Sequence, residues 1–251
     1  MRASIFVRLA LLAVAPLALV VGATQAGGPS PKPASAAIAP GEYIADGGWG
    51  WLTISPAQKQ GFPFELESIG GNFHLCSLEG RIVGGQAALE AEGNPQGCVV
   101  SFVPTAEGLQ VSGPPACREY CGLRAGFEGH YLRPAAGCGQ DARRATRAEF
   151  KRLYDRKQYT AALAKLSPLP QRCARQINRY ERGEVLNDIA IAQFRLGQRA
   201  ACLKTLAPLQ EDAAMSDDEI RDNYPPSDAD AWLPIVKAAR FNLGLCRKKA
   251  R

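Results

Sequence analysis

The stretch "LYDRKQYTAALAKLSPL" (153–169) recurs forty residues on as "QFRLGQRAACLKTLAPL" (193–209). Tyr154 aligns with Phe194, Ala161 with Ala201, Leu163 with Leu203, Leu166 with Leu206, Pro168 with Pro208 and Leu169 with Leu209. Each copy carries an aromatic near the end of one helix, a turn, and an Ala/Leu helix halted by proline. Apolar residues at helical period before each turn (Phe150, Leu153, Tyr154; Ile189, Phe194) predict the first helix of each pair. The small alanines after the turn let two helices approach closely. A last helix is predicted over "AWLPIVKAARFNLGLC" (231–246). Residues 135–251 therefore read as an α-helical hairpin repeat domain.

Upstream the period changes. "GEYIADGGWGWLTIS" (41–55) alternates around Asp46-Gly47-Gly48 and reads as a β-hairpin. "FPFELESIG", "NFHLCSLEG", "RIVGGQAALEA", "CVVSFV" and "GLQVSG" follow as short strands separated by turn residues, the pattern of an antiparallel barrel or sandwich. Gly71-Asn72 reads as a turn, "ACREYCGLRA" (116–125) as one helical turn, and Phe127 with Tyr131 as the close of the domain. The expected class is α+β: a small antiparallel β barrel or sandwich (41–134), then the helical hairpins.

On those aligned positions the helical half resembles tetratricopeptide-type repeats, helix–turn–helix units that stack side by side. The resemblance implies a protein-binding array. The period here is 40 instead of about 34, and two copies stand where about three usually make a stable stack. Through "GEY", its cysteines and "FEGHY", the strand half resembles small cysteine-containing β domains of bacterial exported proteins, some lysozyme inhibitors among them.

The N-terminus points to export. Arg2 and Arg8 precede the apolar run "LALLAVAPLALVV" (9–21), and Thr24 and Ala26 offer small residues for cleavage, so residues 1–26 read as a signal peptide. A membrane anchor needs about 20 apolar residues, and Pro16 and Gly22 interrupt the run. No later segment suits a span. "GGPSPKPASAAIAP" (27–40) reads as a flexible tether. The expected location is the periplasm or the medium.

Eight cysteines in an exported chain predict disulfides: Cys76, Cys98, Cys117, Cys121, Cys138, Cys173, Cys202 and Cys246. A structural zinc site wants two close pairs or added histidines. The close pair here is C-x3-C, and His74 and His130 are the only histidines, so no metal or cofactor is expected, an H-x-C step at His74 and Cys76 notwithstanding. In an antiparallel helical hairpin the start of the first helix lies near the end of the second. Cys138 is thus placed to meet Cys173, and Cys202 to meet Cys246. The other four would pair inside the strand half, with separate strand partners for Cys117 and Cys121.

Charge divides with the fold. The 251-residue chain carries net +6, but residues 41–134 hold five Lys/Arg against ten Asp/Glu, and residues 135–251 hold 22 against 14. The split predicts docking of the halves, or contact with an anionic envelope component. Nucleic acid is not expected of an exported chain whose arginines lack interleaved stacking aromatics. Arg172, Arg175, Arg179 and Arg182 are spaced as a ridge on one helix face, either a partner contact or a solvated surface. Trp49 and Trp51 share a strand face by period two, to pack the sheet or to stack on a sugar. Glu65 with Glu67, and Asp188, are the candidate catalytic carboxylates, but no motif accompanies them. The expected function is non-catalytic binding of another exported or envelope protein, with an envelope glycan or anionic lipid as the alternative ligand.

Overall fold

A computed structural model describes residues 37–90 and 97–248. The expected signal peptide, and all of the expected tether but residues 37–40, lie outside them. The strands are β1 (Gly41–Ala45), β2 (Gly50–Ile54), β3 (Phe62–Ile69), β4 (Leu75–Ile82), β5 (Gln86–Leu89), β6 (Cys98–Pro104), β7 (Gly108–Ser112) and β8 (Gly129–Leu132). They form one antiparallel sheet in the order β4-β3-β2-β1-β8-β7-β6-β5. Every strand pairs with its chain neighbour except β4 and β5, which meet at the tight turn Val83–Gln86, where Gly84 and Gly85 take positive φ. β8 closes back on β1, with Ala45 opposite Tyr131 and Ile44 opposite Leu132. The result is a nearly closed eight-stranded barrel.

Alternation fills its interior. On β3, Phe64, Leu66 and Ser68 point inward and are buried while Glu65 and Glu67 face out. Phe64 meets Phe102 of β6 edge to face at 4.9 Å. Eight strands leave a lumen that side chains can fill, which is why this barrel is a packed core. The segment "FEGHY" contributes a true strand, β8, where the sequence suggested only a closing element. Tyr131 is fully buried there, its hydroxyl donates to the Phe127 carbonyl at 2.9 Å, and burial pushes its pKa far up.

Four disulfides staple the chain, and no cysteine is free among the described residues. Cys117 and Cys121 do not bond each other. They flank the C-terminal part of a 3-10 turn (Pro115–Tyr120) and reach different strands, Cys98 at the start of β6 and Cys76 on β4. Cys138 pairs with Cys173 and Cys202 with Cys246, the pairs that hairpin geometry suggests.

The helices are α1 (Gln140–Asp155), α2 (Tyr159–Leu166), α3 (Leu169–Arg172), α4 (Arg179–Arg195), α5 (Arg199–Leu206), α6 (Gln210–Ala214), α7 (Asp217–Asn223) and α8 (Pro226–Arg247). The repeat extends to the backbone. In the α1–α2 turn Lys157 has φ +61°, and in the α4–α5 turn Gly197 has φ +74°. The N–H groups of Lys157 and Gly197 donate to Tyr154 and Phe194, and those of Gln158 and Gln198 to Leu153 and Gln193. Helix α4 serves two cores: Val185, Ile189 and Ala192 pack on the first hairpin, and Leu186 and Ala190 on α5 and α8. It crosses α8 at Gly183, where a Cβ would come within 2.6 Å of Ile235. The last helix starts five residues before its expected boundary, and α3, α6 and α7 are additions. The Ser216–Glu219 capping box that opens α7 is a signal the sequence carries. No helix of the described residues is long and apolar enough to cross a membrane.

Strands and helices belong to one compact unit. The Gly47 N–H donates to the Arg175 carbonyl at 2.7 Å, and the Arg175 guanidinium reaches Asp46 at 2.6 Å and Glu107 at 2.9 Å. The Gln140 N–H at the start of α1 donates to Glu42 at 2.9 Å, and Asn72 meets Ser227 and Asp228 at the start of α8. Ile44 and Leu132 alternate with core residues and so point out of the barrel, yet are buried, on the strands that bear these contacts. Acidic groups of the strand half thus hold Arg175 and the start of α1, while at α8 the strand residue Asn72 donates to Asp228 and accepts from Ser227.

Candidate binding groove

The four arginines do not form a ridge. Helix α3 ends at Arg172 and α4 begins at Arg179, so the intervening turn breaks the helical spacing on which a shared face depends. Asn178 causes the restart, capping α4 by accepting from the Glu181 N–H at 3.0 Å. Arg175 is spent on the barrel, its guanidinium held by the Asp46 and Glu107 carboxylates, and its hydrogen bond to Asp46 lowers the pKa of that carboxyl. Arg179 lies over the rings of Tyr180, Tyr224 and Trp232, and Arg182 turns to the Pro170 carbonyl.

Trp49 and Trp51 also separate. Trp49 sits in the turn before β2, edge to face with Tyr131 at 5.9 Å, against the barrel core. Trp51 lies on the outer face of β2, half-buried, its Nε1 without a hydrogen-bond partner among the described residues. Glu65 and Glu67 face solvent on β3. Cys76 is in a disulfide, so the His74-x-Cys76 step offers no thiolate for a metal.

Asp188 stands differently. Helices α1 and α4 run parallel, as their cross-pairs ascend together: Arg143 with Glu181 at 3.0 Å, Arg147 with Glu184 at 2.7 Å, and Tyr154 Oη with Arg195 at 3.2 Å. Arg143 is almost fully buried and also donates to the Cys138 carbonyl, which fixes the start of α1 beside α4. Between the helices lies a groove. Its wider part, about 480 Å³, has Ala148, Phe150, Tyr154 and Ile191 as apolar lining and Asp188 among its polar groups. A second cavity of about 340 Å³ lies nearer the helix starts, and Arg144 and Arg147 border both.

Among the described residues the charges around the wider part are matched in pairs except one. Arg144 goes to Asp141 at 3.4 Å. Arg147 goes to Glu184, and Lys151 goes to Asp155 at 2.8 Å, one turn along its own helix. Asp188 makes no hydrogen bond or ion pair among the described residues. Burial pushes its pKa up to about 6; Arg147 and Lys151 pull the other way but do not offset it, and Glu184 adds to the rise. A half-desolvated carboxylate without a donor is a costly group to keep. Chemically it can take up a proton near pH 6 or accept hydrogen bonds from an entering group. The described lining holds no serine, cysteine or histidine to act as a nucleophile.

Sequence reading singled out Asp188 only as a candidate catalytic acid and missed the groove. Its trace is nonetheless there: positions 144, 148, 151 and 155 fall on one helix face, and 188 and 191 on the face opposite. No family model, curated protein or solved structure matches this chain.

Proposed function

We propose that this chain is an exported, non-catalytic protein-interaction module, whose helical hairpins form a tetratricopeptide-like array that binds a segment of another exported or envelope protein. A cleaved signal peptide at 1–26 and an oxidising compartment go with this reading, and four disulfides support the compartment. The observation that carries it is the α1–α4 groove, an open cleft between parallel helices with an apolar floor and one unmatched carboxylate. In this reading the barrel serves as a rigid base, docked at the starts of α1, α4 and α8, that leaves the groove open.

The test is site-specific photocrosslinking in the exporting cell. A photoreactive residue at Ile191 or Lys151 should trap one protein adduct, absent when the same group sits at the exposed Lys59. Adducts at Lys59 with none at either groove position would overturn the reading.

A further inference from the structure

We infer that the groove takes a cationic side chain, a lysine or arginine of the bound segment, and that Asp188 is its anchor. The inference rests on the proposed interaction function and adds the chemistry of what is bound. Three observations combine. The cleft of about 480 Å³ is wide enough for a long side chain and is walled by Phe150 and Tyr154, rings 5.8 Å apart, against which an aliphatic stem can lie. The carboxylate is the unmatched charge of the cleft, since the nearest cations are committed to Glu184 and Asp155. Burial already opposes its ionisation, so a donor that arrives with a positive charge finds an acceptor already partly desolvated in the free protein.

Charge around the anchor sets the selectivity. Arg144, Arg147, Lys151 and Asp155 face the cleft from α1, and Glu184 stands one turn back along α4. Arg144, Arg147 and Lys151 are each held by an acid, Asp141, Glu184 and Asp155, which leaves Asp188 over. An acidic side chain entering at Asp188 would meet a like charge, and an apolar one would leave the carboxylate unpaired. A lysine or arginine pairs it. Ion pairing requires ionised Asp188, so affinity falls as pH drops through about 6.

The experiment titrates the full exported protein with the capped peptide acetyl-Leu-Lys-Leu-amide and with its norleucine and glutamate analogues, followed by backbone amide shifts. The lysine peptide should move amides of α1 and α4, bind about tenfold more tightly than the norleucine peptide, and weaken severalfold from pH 7.5 to pH 5. Asp188→Asn should lose that tenfold preference while keeping the fold. Lys151→Gln, which removes a competing cation and spares Asp188, should tighten the lysine peptide about twofold. Equal affinity for the three peptides, no binding of any, or an unchanged lysine preference in Asp188→Asn overturns the inference. Photocrosslinking at Ile191 distinguishes the two failures: a groove adduct obtained without lysine preference leaves the interaction function standing and removes only the anchor.

Discussion

Replacing Asp188 by Asn should stabilise the protein, in a pH-dependent way. Burial lifts the Asp188 pKa from its ordinary 3.8 to about 6. The protonated acid therefore favours the folded state, a contribution fully present below 3.8 and lost as pH rises through about 6. Above that range the folded chain must hold an ionised, half-buried carboxylate. The shift of about two pH units corresponds to roughly 3 kcal/mol of cost at pH 8. Residual solvent contact, and the amide that Asn buries in its place, reduce the expected gain to about 2 kcal/mol. For a chain of this size that raises Tm by about 4–8 °C. The assay is urea and thermal unfolding of both proteins, disulfides intact, at pH 8, 6 and 4. By pH 4 the difference should shrink to about 0.5 kcal/mol, because the folded acid is then almost fully protonated and the unfolded one, at its ordinary 3.8, is close to half protonated. A variant no more stable than the parent at pH 8, or one with the same advantage at pH 4, would refute the reasoning. A gain in stability together with loss of lysine-peptide binding is what a carboxylate kept for a ligand should show.

Two further substitutions probe the frame that holds the groove. Gly48 has φ +72°, and a Cβ there would lie 2.5 Å from the Asn178 nitrogen and 2.6 Å from the Ile177 carbonyl carbon. Gly48→Ala should therefore cost about 2–4 kcal/mol in urea unfolding and speed exchange of the Gly47 amide bonded to Arg175; unchanged exchange would deny that this turn is the docking point. Lys157 occupies the left-handed position that Gly197 fills in the second hairpin, so Lys157→Gly should stabilise by about 0.5–1 kcal/mol in the same assay; a loss of stability would mean that the two turns are not equivalent.

Much of the architecture was legible because its causes are local. Alternation at period two wrote most of the barrel strands, and β8 escaped because it is four residues long and starts at a glycine with φ +149°. Period 3.6 and the forty-residue offset wrote both helical hairpins, and antiparallel geometry then brought Cys138 to Cys173 and Cys202 to Cys246. The arginine ridge failed because spacing assumes an unbroken helix, while Asn178 restarts the chain and Asp46 draws Arg175 across 129 positions of sequence. The groove escaped because half of it lies on each of two helices that are not neighbours in sequence.

The sequence by itself determined the element types, the two-part α+β class and the staples between hairpin ends. These follow from side-chain period and from partners a short closed loop apart. Only the tertiary structure decided that the strands close through β1 and β8, that the halves dock at Arg175, and that Asp188 stands without a partner among the described residues. Each of these depends on which distant groups share the last few ångströms of space. In particular, whether a carboxylate is matched is a property of every charge around it: Arg147 and Lys151 lie near Asp188, but Glu184 and Asp155 hold them.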